Sequence, residues 1–233
     1  MKIQSEPFDA FSRLVFPDAI AEQSRKRFAA LAKSRVLDPA RGKPLDASVS
    51  SLVFISSGAV KLVAHASAER EQVIAFYFSD DLFILPEDGK HSFSLQALQR
   101  SEVLIFPYEE FAALAQKDCA ILRYLLDRSA LSLHRSREKT IALGRKTALE
   151  RTASFLLSMA ERIGRPRGGS VEIELPMSRR DIADSLGLTI ETISRQLSIL
   201  RGDKVIETHG RAGVLIRSCG ALEQRSGSLR DAA

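Results

Sequence analysis

At Pro107 the spacing of apolar residues changes, and with it the kind of structure the chain can form. Before it, the apolar runs are short or alternating: VFI, AVKLVAHA and VIAFYF, then further short runs, with turn signals at SSG, ASAERE, PEDG and QRS. Runs of that length and period are strands joined by hairpins, and their spacing points to a small sandwich or roll. After Pro107 the period is helical. YEEFAALAQKD reads as a short helix, residues 118–144 run without a breaker to Gly144, and 145–164 form a further amphipathic helix. The fold class is therefore α+β, with an antiparallel, jelly-roll-like β-roll first and helices after it. At 233 residues, 45% hydrophobic and 27% charged, the chain has enough apolar material for one or two domains with a real core.

Residues 1–37 show helical spacing in FSRLVF and in IAEQSRKRFAALAKSRVL, followed by a turn-rich RGKPLDASVS. The stretch MKIQSEPFDAFSRLVF has no continuous apolar core, so no secretory signal is expected. No run approaches the roughly 20 apolar residues of a membrane span, so no membrane partner is expected. The two cysteines, Cys119 and Cys219, are too far apart in sequence for a metal or redox pair. They fit a reduced, cytoplasmic chain, with Cys119 inert in an apolar helix and Cys219 exposed in a frayed polar tail.

The first half of 118–144 is apolar nearly all round, with Ile121, Leu122, Tyr124, Leu125, Leu126, Leu131 and Leu133. Such a helix needs cover on more than one side. The strand domain supplies one side. The same helix of a second subunit, meeting it through Leu122, Leu126 and Leu133, supplies the other; a single core helix of a monomer is the alternative.

The segment SRRDIADSLGLTIETISRQLSIL (178–200) carries the most specific pattern. Ser178 with an acid three residues on is a capping box that starts a helix at Arg179. Gly187 supplies a turn in which positive φ is cheap, Ala183 lets two helices cross closely, and Thr189 caps the second helix. Ile190, Ile193, Leu197 and Leu200 form its buried stripe. Together these make a helix-turn-helix, and the strand–turn–strand pattern of KVIETHGRAGVLIRS makes it winged. The second helix of such a unit enters the major groove. Glu191, Ser194 and Arg195 then share its groove-facing side, where Arg pairs with guanine, Glu accepts from cytosine and Ser bonds several base edges. A Glu191–Arg195 pair would hold the arginine in aim. The alternative is a merely solvated face. The net charge of +5, with Arg135, Arg137, Lys139, Arg145 and Lys146 clustered against Glu138, fits an anionic partner.

Signs of catalysis are lacking. His65, His91, His134 and His209 are scattered, with no metal-ligand spacing, and no Gly-x-Ser-x-Gly elbow or phosphate loop occurs. GRPRGGS reads as a flexible interdomain loop and Asp80–Asp81 as a polar turn. No enzyme activity, metal or cofactor is expected. The competing non-enzymatic reading is a ligand-sensing β-roll module acting on a protein or enzyme partner, with the helical hairpin as a packing unit only.

The segment 178–200 resembles the reading segment of the Crp/Fnr family of bacterial transcription regulators, and its ETISR core is most similar to the FixK-like branch. FISSGAVKLVAHASAEREQVIAFYFSDDLF resembles the family's roll, and the resemblance covers about residues 40–217. It implies a dimeric, double-stranded-DNA-binding activator that works with RNA polymerase. It also implies a TTGA-type palindrome read by Glu191, Ser194 and Arg195, with backbone contacts from Ser178, Arg179, Thr189, Thr192 and His209. The implied division is 1–117 for arm and roll, 118–144 for a dimerisation helix, 145–217 for the winged helix-turn-helix and 218–233 for a tail. Two departures from the family pattern stand out. His91–Ser92 occupies the place of the Arg-Ser pair that holds a cyclic nucleotide's phosphate, and Arg100–Ser101 comes about nine residues too late. The first cysteine is Cys119, so no N-terminal cluster for an iron–sulfur centre exists. The expectation is a roll filled by Phe93, Ser94, Leu95 and Leu98 that needs no cyclic-nucleotide effector.

Overall fold

The computed structural model describes residues 6–17, 20–40, 43–46, 49–67, 70–87, 89 and 91–227. The first five residues of the chain and the tail beyond Gly227 lie outside them. The chain divides into two compact units, Met1–His134 and Arg135–Ala233.

The first unit opens with α1 (Glu6–Val15) and α2 (Glu22–Leu31). The strands follow: β1 (Lys33–Leu37), β2 (Leu45–Asp46), β3 (Ser51–Ser57), β4 (Ala59–Ser67), β5 (Arg70–Phe78), β6 (Leu82–Leu85), β7 (Ser92–Ala97) and β8 (Ser101–Pro107). They pair antiparallel in two sheets, β1–β8–β3–β6 and β2–β7–β4–β5. Val53, Ile55, Phe83, Leu85 and Val103 of the first sheet meet Val60, Leu62 and Leu95 of the second, filling the inside of an antiparallel β-roll. The other face of the first sheet, with Leu52, Phe54, Leu104 and Phe106, buries Phe11, Phe28 and Phe111 of the helices. Both faces of β3 are therefore covered, which is why its apolar run is continuous rather than alternating.

Lys33–Leu37 departs from its helical spacing. The helix stops at Leu31, and the next five residues become β1, with Lys33 opposite Ile105 and Leu37 opposite Ser101. Only Leu37 of this strand is buried, so backbone pairing to β8, invisible in local spacing, decides its state. The displaced Arg100–Ser101 dipeptide also has a structural explanation. The buried Ser101 hydroxyl accepts from Ala59 N at 3.0 Å, pinning the β3–β4 turn. Gly58 at φ +95° passes so close that a Cβ would lie 2.3 Å from Ser101 Oγ.

After α3 (Tyr108–Ala115), the long helix α4 runs Cys119–Arg145. Ile121 is fully buried in the phenylalanine-rich core, with Tyr124 and Leu125 packed against it. Leu122, Leu126 and Leu133 remain 38%, 68% and 51% exposed in the single chain. Cys119 is exposed rather than buried as its sequence context suggested. It is the first residue of α4, and the core-facing turn begins two residues later at Ile121.

The second unit continues with α5 (Ala148–Ile163), started by a Thr147–Glu150 capping box. Here β9 (Arg165–Arg167) pairs antiparallel with β10 (Ser170–Glu174). The GRPRGGS loop is thus a hairpin inside the unit, not an interdomain linker. Gly168 and Gly169, at φ 54° and 82°, supply the two positive dihedrals that a two-residue hairpin loop requires. Then come α6 (Arg179–Leu186), α7 (Ile190–Gly202), β11 (Ile206–His209) and β12 (Gly213–Ile216), in a sheet ordered β11–β12–β10–β9. The tail expected to fray instead forms α8 (Cys219–Arg225), capped by Ser218. Leu222 is fully buried, Arg225 pairs with Asp203 at 2.9 Å, and Cys219 is half-buried. Leu222, the ion pair and a hydrogen bond from Ser154 Oγ to the Ser226 carbonyl at 3.4 Å dock this helix.

Candidate nucleic-acid interface

The helix-turn-helix is assembled by local chemistry. Ser178 Oγ accepts from Asp181 N at 3.1 Å, while the Asp181 carboxylate accepts from Ser178 N at 2.9 Å. The two bonds satisfy amides that the first turn of α6 leaves open. Gly187 adopts the left-handed conformation at φ 61°, ψ 42°, and Leu188 N returns to Ala183 O at 2.9 Å. Ala183 is buried at the crossing. Thr189 then caps α7 by accepting from Thr192 N at 3.2 Å.

Burial of Ile193, Leu197 and Leu200 fixes which way α7 faces. Ile190, the fourth residue of the predicted stripe, is only half-buried. Opposite them Glu191, Ser194 and Arg195 are exposed on one side. The expected Glu191–Arg195 ion pair is not formed. Glu191 turns back to its own backbone N–H and to Thr189, and these bonds to the charged form lower its pKa. Ser194 Oγ donates to Ile190 O at 2.9 Å. Arg195 has no hydrogen bond or ion pair among the described residues, so its five donors are uncommitted.

Residues flanking this face differ in character. Ser178 and Thr189 are exposed but occupied as caps, and the Thr192 hydroxyl shares a 3.1 Å contact with Thr189. Arg179, the first residue of α6, is half-buried; its Nη1 is shielded from water and has no partner. That burial lowers its pKa, a cost to which an anion at the helix start would be the natural complement. In the wing, His209 stands exposed 3.5 Å from Glu207, which also pairs with Arg217. The sequence pattern missed Lys139, which it counted only as one charge of a basic stretch. Burial pushes the ammonium of Lys139 down from 10.5 to about 8, and Asp184 of α6 partly opposes that shift.

A roll, a long helix and a winged helix-turn-helix with a polar outward face define a class of DNA-binding regulators. The comparisons agree. Residues 46–118 match the family model of the cyclic nucleotide-binding domain, and residues 150–225 that of the Crp-like helix-turn-helix domain. The nitrogen fixation regulation protein FixK of Azorhizobium caulinodans is 35% identical over 77% of this chain and 73% of its own length. The transcriptional activator protein FnrL of Cereibacter sphaeroides is 30% identical over 76% and 73%. The solved structure of FixK2 from Bradyrhizobium japonicum superposes with a TM-score of 0.72 at 28% identity, over 84% of this chain and 98% of that one. The chain belongs to the Crp/Fnr family and resembles its FixK-like members. It is a DNA-binding transcription regulator, not an enzyme.

Lys139 gives the second unit a distinctive pH response. Its proton is held less tightly when folded, near 8, than at its ordinary 10.5. Between those values the unfolded chain binds more protons, so stability rises with pH across that window. Below about 8 the folded unit carries the buried charge at full cost. Urea unfolding of wild type and Lys139→Met should therefore show wild type gaining on the variant from pH 8 to 10, by up to about 2 kcal/mol, each pH unit carrying at most about 1.36 kcal/mol. Parallel curves over that range would mean that Lys139 is solvated.

Proposed function

We propose that this chain acts as a homodimer that reads a TTGA-type palindrome in double-stranded DNA and activates transcription in the cytoplasm through contact with RNA polymerase. Arg195 pairs with a guanine, Glu191 accepts from a cytosine and Ser194 bonds an adjoining edge. Arg179, Ser178, Thr189, Thr192 and His209 meet the phosphate backbone at helix starts and wing. The observation that carries this reading is the exposed row Glu191–Ser194–Arg195 on α7, set opposite three buried aliphatic residues. The uncommitted Arg195 guanidinium adds to it. Relatives named as transcriptional activators, FnrL among them, support activation.

Dimerisation runs through α4. Leu122, Leu126 and Leu133 are three leucines exposed along one helix, a self-complementary surface of the kind that twofold pairing covers. A palindrome needs two reading helices about 34 Å apart, which a central helix pair can set. In this division residues 1–117 are arm and roll, 118–144 the dimerisation helix, 145–217 the reading domain and 218–233 its tail.

The roll works without a cyclic nucleotide. Its family match is to a nucleotide-binding fold, but the residues that would meet a phosphate differ. His91 is exposed, and Leu95 is fully buried inside the roll with Phe93 and Ala97 against the same core. Ser94 faces the other way, its hydroxyl 2.8 Å from His65 Nε2. A phosphate brought into this aliphatic interior would lack a cationic partner.

Two measurements test the reading. Arg195→Ala should cost about 1–3 kcal/mol per half-site and flatten the preference at one guanine, and Glu191→Ala should relax discrimination at a cytosine. Titration of base-substituted duplexes checks both; full sequence preference with lost stability would make this face structural. Leu126→Asp should abolish the dimer in sedimentation and weaken palindrome binding with it. A wild type that sediments as a monomer on and off DNA would contradict the dimer.

A further inference from the structure

Arg151 lies in the first turn of α5, at the start of the family-matched segment, and does a job that no base contact explains. Its Nε donates to the Lys146 carbonyl at 2.9 Å, and its Nη1 donates to the Leu186 carbonyl at 3.1 Å. Both carbonyls sit at helix ends. Lys146 follows the last residue of α4, and Leu186 is the last residue of α6. Such carbonyls have no partner within their own helix and carry partial negative charge, so a guanidinium fork between them satisfies both. At the α6–α7 turn the amides of Gly187 and Leu188 go back to Ala183 and Asp184, leaving the Leu186 carbonyl to Arg151.

Two independent contacts tie the same places together. A Cβ on Gly187 would lie 3.5 Å from Leu143 Cδ2 of α4 and 3.8 Å from Arg151 Nη1, so the turn packs directly on the end of α4. One helical turn earlier on each helix, Asp184 of α6 acts on the shielded ammonium of Lys139 of α4. The joint itself is short and stiff. Only Lys146 and Thr147 separate α4 from α5, Lys146 Nζ donates to Ser154 Oγ at 2.8 Å, and Thr147 is held in its capping box.

We infer that Arg151 is a positioning residue for DNA reading: it locks the Leu186–Gly187 turn, and so the start of α7, to the end of α4. The inference rests on α7 being the reading helix. Lys139 and Leu143 lie one turn apart on α4 and Lys146 directly follows it: Lys139 faces Asp184 of α6, Leu143 the Gly187 turn, and the Lys146 carbonyl takes Arg151. The direction of α7 is thereby referred to the last turns of α4, from Lys139 onward. Specific reading requires α7 to be held in one direction on the end of α4, and non-specific phosphate binding does not.

The test separates position from stability. Nitroxide labels at Glu138→Cys on α4 and Ser198→Cys on α7, with Cys119→Ser and Cys219→Ser, report the distance between the helices in the full chain without DNA. Dilution with unlabelled protein keeps the labels within one protomer. The wild-type background should give one narrow distribution. Arg151→Met keeps the stem and loses both donors; it should broaden the distribution. It should also lower affinity for the specific palindrome about tenfold, the factor that 1.4 kcal/mol carries, with random-duplex affinity and its salt slope nearly unchanged. Arg151→Lys keeps the charge but cannot span both carbonyls, so it should fall between the two, and it carries the test if the methionine variant fails to fold. An unchanged distance distribution overturns the inference, whatever DNA the protein reads. A broadened distribution with intact specific affinity overturns it as well. Failure of the wild type to prefer any sequence would refute the proposed reading instead, because the distance measurement does not depend on it.

Discussion

The burial of Ile193, Leu197 and Leu200 is the contact on which the outward face of α7 depends. A helix as short as α7 is marginal in water, and tertiary packing of its apolar face supplies most of its stability. Once those three side chains are inside, helical geometry leaves Glu191, Ser194 and Arg195 no position but outside. The core thus chooses the azimuth of the helix, and the sequence fills the remaining face with the polar groups to which base reading is assigned in the proposal. The left-handed Gly187 and the Thr189 cap then set where α7 begins, to within one residue.

The same logic of orphan groups and their partners runs through the second unit. Ser178, Thr189 and Thr147 close helix starts, and Arg151 closes two helix ends. What is left open is informative. Among the described residues the Nη1 of Arg179 is buried without a partner, and Arg195 makes no bond at all. These two arginines, one on each helix of the helix-turn-helix, leave donors without an internal partner and open to an external anion. Lys139 differs: its charge is sheltered, with Asp184 of α6 partly offsetting the cost.

Much of this was legible in the sequence because it is local. The capping box at Ser178, the glycine turn and the Thr189 cap each depend on residues within four positions of one another, and the family pattern follows from them. The strands of the roll were legible for the same reason, from their period. Features decided by distant partners were not. Lys33–Leu37 has helical spacing and becomes a strand because β8 is beside it. The tail has a polar composition and becomes α8 because Leu222 finds a buried site. GRPRGGS looked like a linker because loops and tight hairpins share glycine, and only the pairing of β9 with β10 distinguishes them. Glu191 and Arg195 have ideal spacing for an ion pair, yet an acid in the first turn has amides nearer to hand. The role of Arg151 was hidden because its two acceptors are carbonyls five and 35 residues away, with no signature in side-chain spacing.

The central claim, that the outward face of α7 reads DNA from a dimer that needs no nucleotide, is tested most directly by sequence selection. Unliganded protein would be used to enrich duplexes from a random pool, with and without cyclic AMP. The account predicts an inverted repeat of TTGA-type half-sites, centred about one helical turn apart and identical in both arms. Enrichment of no motif, of a single unrepeated half-site, or of a palindrome only when cyclic AMP is present would contradict it.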